Sequence, residues 1–263
     1  MSTSFHLREM FPSDGAAAQQ LMETDPETAE MSMTTVFRID AYQAWRALKA
    51  NMIGVVAEAP GVEGLVGVAT VAFTDIQFDG QVVPAAFLDN LKVRHDYRGQ
   101  GLGTELVQWR IDRARERFGE NCVIVSGTTS DNTLSQATMK KWISQFAGPL
   151  ILMPQPPRDS EAELPAGISV RAPHESELDA VAARSNQFYA DYNLYAPLSA
   201  SGLKALLAGD VYHYRIAVDA QGKMIAGMLL AERAALFYDQ FRNVPPPLKM
   251  SGMLPPDERI RMM

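Results

Sequence analysis

The sequence has a single cysteine in 263 residues, Cys122, so no internal disulfide can brace the fold. It also lacks a surplus of positive charge. Its 24 Lys and Arg stand against 31 Asp and Glu, a formal net charge of −7, which argues against general binding to nucleic acid or to an anionic membrane. No apolar run approaches the ~20 residues of a membrane span, and the opening MSTSFHLREMFPSD has no apolar core of signal-peptide length. The cytoplasm is the location expected from these absences. Low-complexity blocks are missing too, and His174 and His213 have no metal-ligand spacing, so no metal is expected. Cys122 lies in the apolar run CVIV and reads as a small core residue of a buried strand, with no histidine close by in sequence to activate it.

What is present fits an ordinary folded protein: 47% hydrophobic and 21% charged residues, in a chain longer than one typical domain. Alternation from Phe5 to Met10 predicts a first strand, and Asp14 is placed to N-cap a helix carrying Ala16, Ala17, Ala18, Leu21 and Met22. A second helix is expected over Asp40–Asn51. Strand-like runs follow at Ile53–Glu58, at Leu65–Phe73 extending toward Phe78, and at Val82–Val93, with Asp79-Gly80 as a hairpin turn. A glycine-rich turn then leads into a helix over about Gly101–Phe118, with Leu102, Leu106, Trp109 and Ile111 available for an apolar face. Cys122–Thr128 reads as a buried strand parallel to the one around Val93, since strand, helix and strand make a crossover unit. Asp131 or Asn132 would cap one more helix to about Phe146, and Leu150–Met153 would close an α+β domain built on a mixed sheet.

The Pro-rich acidic stretch Met153–Gly167 reads as a linker, giving domains at 1–153 and 168–263 with the connection at 154–167. Beyond it the opening pattern returns. Phe5-His-Leu-Arg8 with Asp14 matches Ile168-Ser-Val-Arg171 with Glu177, and Val66-Gly67-Val68 matches Ala226-Gly227-Met228, at an offset near 160. A partial second α/β unit is therefore expected. Whether it is a truncated duplicate, an excerpt of a longer chain or an extension that only resembles a repeat is left open. The aromatic run Phe188, Tyr189, Tyr192 and Tyr195 has near-helical spacing and reads as core packing.

The chemistry is concentrated in LDNLKVRHDYRGQGLGTELVQWRIDRARER, Leu88 to Arg117. Gly99, Gly101 and Gly103 fall between a strand and a helix, where glycines let backbone N–H groups converge on an anion and the helix N-terminus adds partial positive charge. This pattern suits a pyrophosphate. A Walker A loop would need Lys and then Ser or Thr after its last glycine, whereas Thr104 and Glu105 stand here. A Rossmann fingerprint has two residues between its second and third glycines, and here there is one. Arg110, Arg113, Arg115 and Arg117 read mostly as a solvated helix face.

The segment Val93, Arg98, two residues, Gly101, one residue, Gly103 resembles motif A of the GNAT N-acetyltransferase superfamily, which has Gln or Arg, two residues, Gly, one residue, then Gly or Ala. The resemblance extends over about residues 5–153, in the order strand, two helices, three antiparallel strands, helix, strand, helix, strand. It implies a GNAT-like α+β fold, a mixed sheet flanked by helices, with the second half as a partial GNAT-like unit. It further implies acetyl-CoA or another acyl-CoA as donor and an amine as acceptor. Backbone N–H groups of Arg98, Gly99, Gln100, Gly101, Leu102, Gly103 and Thr104 would hold the pyrophosphate. The strand at Leu91 and Val93 would pair with the pantetheine arm, and Asn132 would contact CoA. Asp89 is the candidate general base. The family often has a Tyr seven residues after that Asn, as the acid for the leaving thiolate, and this sequence has Met139 there. A non-catalytic acyl-CoA-binding module is the competing expectation. The acceptor's identity and the oligomeric state, a homodimer included, are left open.

Overall fold

In the computed structural model of the chain, residues 4–24, 32–129, 132–148 and 163–242 are described. Along them run β1 (His6–Glu9), α1 (Gly15–Thr24), β2 (Ser32–Phe37), α2 (Ala41–Leu48), β3 (Met52–Glu58), β4 (Gly67–Phe78), β5 (Gln81–Val93), α3 (Leu102–Phe118), β6 (Val123–Ser126) and α4 (Thr133–Met139). Then follow β7 (Ser169–Arg171), α5 (Leu178–Phe188), α6 (Ala200–Leu207), β8 (Tyr212–Val218), β9 (Met224–Ala231) and β10 (Phe237–Arg242). They fall into two compact units. One draws on Met1–Phe73, Ala85–Pro156 and Leu236–Met263, the other on Thr74–Pro84 and Pro157–Ala235.

The first unit holds a five-stranded sheet in the order β1-β3-β4-β5-β6. β1 and β4 flank β3 antiparallel, while β5 and β6 run parallel, Ala85 opposite Val123 through Leu88 opposite Ser126. This is the mixed sheet that the order of strands and helix predicts. Residues of β3, β4 and β5, with Val66 just ahead of β4, pack on α3, where Val55, Ala57, Val66 and Ala69 meet Leu102 and Leu106, and Val71, Ala86 and Leu88 meet Val107, Ile111 and Ala114. Each fully buried Val, Leu or Ile among them contributes about 1.5–3 kcal/mol, and each Ala less. α2 starts where Asp40 accepts the Gln43 N–H at 3.0 Å, as its position before the apolar run requires.

Asp14 behaves differently from expectation. It closes the 3-10 turn Pro12–Asp14, and its carboxylate accepts the Phe11 N–H at 2.8 Å rather than capping α1. The same carboxylate pairs with Arg8 at 2.8 and 2.9 Å, and that guanidinium holds it below the usual carboxylate range. The strand β2 has no counterpart in the sequence reading. It pairs antiparallel with β10, and Thr35 donates its hydroxyl to Asp239 Oδ1 at 2.7 Å. β10, though late in the chain, therefore belongs to the first unit. α4 stops at Met139 instead of continuing to Phe146, and the strand expected at Leu150–Met153 lies outside the described residues.

The second unit has the antiparallel sheet β7-β8-β9, with α5 and α6 burying Leu178, Val181, Ala182 and Leu203 against Tyr214, Ile216 and Val218. Near its start the geometry of the first unit returns: Arg171 pairs with both oxygens of Glu177 at 2.6 and 2.8 Å, and Glu177 accepts the His174 N–H at 2.7 Å. The hairpin tip Thr74–Pro84 also belongs to this unit. Gln77 there exchanges backbone hydrogen bonds with Tyr195 and Leu194 at 2.7 and 2.8 Å. The aromatic run does not form core. Phe188 is 69% and Tyr192 57% exposed, because α5 ends at Phe188 and the run continues on a surface turn, where the rings pack on one another. Among the described residues no helix is long and apolar enough to cross a membrane.

Candidate functional site

β5 leaves its parallel partner part-way. The ladder to β6 ends at Leu88 opposite Ser126, whose hydroxyl donates to the Leu88 carbonyl at 2.8 Å, while β5 runs on to Val93. The stretch Asp89–Val93 therefore has an edge that β6 does not cover. At its start Asn90 takes a φ of +53, a left-handed conformation that Asn tolerates better than most residues. Its amide Nδ2 donates to Thr70 Oγ1 at 2.9 Å, and Thr70 Oγ1 donates to the Asp89 carbonyl at 3.3 Å. Asp89 pairs through Oδ2 with Lys49, the residue that ends α2.

Beyond Val93 a 3-10 turn at His95–Tyr97 delivers the chain to Gly99, Gln100 and Gly101. Gly99 and Gly101 have φ of +77 and +92, and a Cβ added to either would meet no atom within 4 Å. The backbone needs glycine here, and the space beside it is open. Gly101 is the N-cap of α3, its carbonyl accepting the Thr104 N–H at 2.9 Å. Leu102 and Gly103, the first residues of the helix, have no intrahelical acceptor for their N–H groups. Cationic groups border this turn: Arg98, whose Nε donates to the Val93 carbonyl at 3.1 Å, and Lys141, whose Nζ donates to Thr104 Oγ1 at 3.4 Å. Open glycines, a helix N-terminus and two cations together could cradle an anion of phosphate type.

The family model described as the acetyltransferase (GNAT) family matches residues 18–143. Residues 18–143 are a GNAT acetyltransferase domain. No curated protein matches the chain. Among solved structures, a putative acetyltransferase from Agrobacterium tumefaciens str. C58 is 23% identical, with 56% of this chain and 99% of that one covered and a TM-score of 0.43. An aminoglycoside 6'-N-acetyltransferase from Acinetobacter baumannii is 20% identical over 59% of this chain and 100% of its own, with a TM-score of 0.43. Glucosamine-6-phosphate N-acetyltransferase from Arabidopsis thaliana is 16% identical over 57% and 98%, with a TM-score of 0.41.

Within the GNAT domain the residues singled out from the sequence lie along one path, from Asp89, Leu91 and Val93 on β5 through Arg98, Gly99, Gln100 and Gly101 to Leu102, Gly103 and Thr104 at the start of α3. Asn132 is the N-cap of α4, its Oδ1 accepting the Ser135 N–H at 2.9 Å, so that oxygen is already engaged. Met139, where the family often has Tyr, is 8% exposed and offers no proton. Tyr97 packs edge-on against Phe5 at 6.0 Å, with the Arg94 guanidinium over its ring.

Arg110 corrects the reading of the arginines as a solvated face. It is 2% exposed and lies in the same row of α3 as Leu102, Leu106 and Ala114. Its Nε donates to the Leu106 carbonyl at 3.1 Å, and its Nη1 to the carbonyls of Thr70 and Asp89 at 3.2 and 3.1 Å. Burial pulls its pKa down to about 10, partly offset by the Asp89 charge. The signal was there to find, as a lone cation at i+4 spacing inside an apolar stripe. Lys49 and Lys141 carried none, because only the fold brings them to Asp89 and Thr104. Among the described residues no group of three or more His, Cys, Asp or Glu is placed to hold a metal ion.

Proposed function

We propose that the GNAT domain is an N-acyltransferase that takes acetyl-CoA as donor and a primary amine, of a small molecule or a protein, as acceptor. The observation carrying this reading is the continuity of the anion cradle at Gly99–Thr104 with the uncovered β5 edge at Asp89–Val93. A diphosphate bound at the first would leave an extended arm to pair along the second as an added strand. The donor supplies an activated thioester carbonyl. A backbone N–H of the edge, near Leu91–Val93, polarises that carbonyl, a role worth about 3 kcal/mol per donor in other enzymes. The amine must arrive neutral although free alkylamines have a pKa near ~10.4, so a base takes its proton. Asp89 is the proposed base, directly or through one water. The amine nitrogen bonds to the carbonyl carbon, the carbon–sulfur bond breaks, and the thiolate leaves. No side-chain nucleophile takes part.

A second reading is favoured by one observation: buried Met139 has no proton to give the thiolate. A non-catalytic acyl-CoA sensor would need none. Calorimetric titration with acetyl-CoA and CoA, followed by thiol release over a panel of amines, separates the two. Binding with amine-dependent release supports the enzyme, binding without release supports the sensor, and no binding ends both.

The second unit is proposed as a partial GNAT-like repeat. The recurrence of the Arg8–Asp14 geometry at Arg171–Glu177, and of β1-β3-β4 as β7-β8-β9, supports that reading.

A further inference from the structure

We propose that Arg110 is a positioning residue of the acyl site, fixing the peptide between Asp89 and Asn90 so that the Asn90 N–H faces the uncovered edge of β5 as a strengthened donor to the acyl carbonyl. The inference rests on the donor reading above and deepens it.

A guanidinium buried to 2% exposure whose hydrogen bonds among the described residues all go to backbone carbonyls is costly to keep, and an aliphatic side chain would fill the row of Leu102, Leu106 and Ala114 without that cost. The place it serves is particular. Its Nη1 gathers the carbonyls of Thr70 on β4 and Asp89 on β5, at the point where Asn90 takes a φ of +53. Thr70 Oγ1 binds the same Asp89 carbonyl and accepts from Asn90 Nδ2, so one closed network holds the left-handed residue. A left-handed residue inside a strand persists only when its surroundings over-determine it.

The direction of the donor follows from peptide planarity. In a trans peptide the carbonyl of one residue and the N–H of the next point opposite ways. The Asp89 carbonyl is directed at Thr70 and Arg110, so the Asn90 N–H points away from β4, toward the side where the β6 ladder has already ended at Leu88. A cation on the carbonyl also polarises the whole peptide, which makes its N–H a better donor in a low-dielectric surround. Arg110 thus acts on the acyl group through a peptide and touches no reactant.

The test is isotope-edited infrared spectroscopy of acetyl-CoA labelled with carbon-13 at the thioester carbonyl, bound to the full chain, with CoA affinity measured by calorimetry. In the wild type the carbonyl band shifts to lower frequency than in free acetyl-CoA. In Arg110→Met more than half of that shift is lost, while CoA affinity stays within about threefold because the cradle is untouched. Arg110→Lys retains a buried cation but loses the Nε–H that anchors the guanidinium on the Leu106 carbonyl and sets where Nη1 lies, and Thr70→Val removes the hydroxyl of the network. Both lose part of the shift, and they decide the matter if Arg110→Met does not fold. A folded Arg110 variant with the full wild-type shift overturns the role of Arg110 while leaving the donor reading intact. Absence of any acetyl-CoA or CoA binding to the wild type overturns the donor reading, and this inference with it.

Discussion

Replacing Gly101 and Gly103 separately by alanine distinguishes what the glycine turn does for the fold from what it does for a ligand. At Gly101 the added Cβ meets no atom within 4 Å, so crowding costs nothing, but φ of +92 is a conformation that L side chains rarely adopt. The left-handed penalty is roughly 1–2 kcal/mol. In a unit of this size that lowers Tm by roughly 2–8 °C. At Gly103 the backbone is helical and the nearest atom to a new Cβ is Val93 Cγ2 at 3.9 Å, so alanine gains up to about 1 kcal/mol of helix propensity, a rise of roughly 1–4 °C. Thermal melts read these two shifts. Calorimetric titration of CoA, well below either melting point, reads the ligand side. Gly101→Ala should weaken CoA at least about tenfold, since its methyl occupies the open space beside the N–H groups and one lost charge-assisted hydrogen bond is worth about 1.5–3 kcal/mol. Gly103→Ala should retain binding, in keeping with a motif that takes Gly or Ala there. Wild-type CoA affinity in Gly101→Ala would refute the cradle, and a lower Tm in Gly103→Ala would refute the helical reading of that position.

Three further outcomes follow from the packing and the charges. Asp14 and Glu177 are more acidic folded than unfolded: Asp14 is lowered by its hydrogen bonds from Arg8, whereas Glu177 is lowered to about 2 by those from Arg171. The unfolded chain therefore binds more protons over the range between each ordinary and lowered value, so their stabilisation is complete above the ordinary values of 3.8 and 4.5 and is lost as pH falls through the lowered ones, about 2 for Glu177, which urea titrations at stepped pH will show. Burial raises the pKa of the Cys122 thiol, so its reaction with a disulfide reagent near neutral pH should be several-fold slower in the native protein than in urea-unfolded chain. Leu106→Ala removes a fully buried side chain shared by α3 and the sheet and should cost about 2–5 kcal/mol, measured as a fall in the urea midpoint.

The parts legible in the sequence were those set by local rules. Asp79-Gly80 gave a turn with both residues at positive φ, the strand-like runs at Ile53–Glu58 and Leu65–Phe73 gave β3 and β4, and the glycine spacing gave a turn with Gly99 and Gly101 at positive φ ahead of α3. What escaped depended on contacts distant in the chain. β2 has no alternation of its own to announce it, and its partner β10 arrives far downstream. Asp14 looked like a cap because it precedes a helix, but a carboxylate that Arg8 and Phe11 N–H both reach is better served by turning back. Phe188 and Tyr192 have helical spacing, yet α5 ends before the spacing can act. At the site, the ring of residues around Asn90 joins β4, β5 and α3, which no single window of sequence contains.

The pairing of β2 with β10 imposes a schedule on synthesis. Thr35 and Asp239 are 204 residues apart, so at about 5–20 residues per second a ribosome takes roughly 10–40 s to supply the partner of a strand already made. During that interval the edge of β2 and the ring of Phe37, which later packs on Phe237 at 5.6 Å, have no native cover from β10. The whole second unit is made while the first is still waiting for a strand. A shortened form ending ahead of Phe237 would be held in that waiting condition permanently, a chaperone's substrate rather than a smaller version of the same domain.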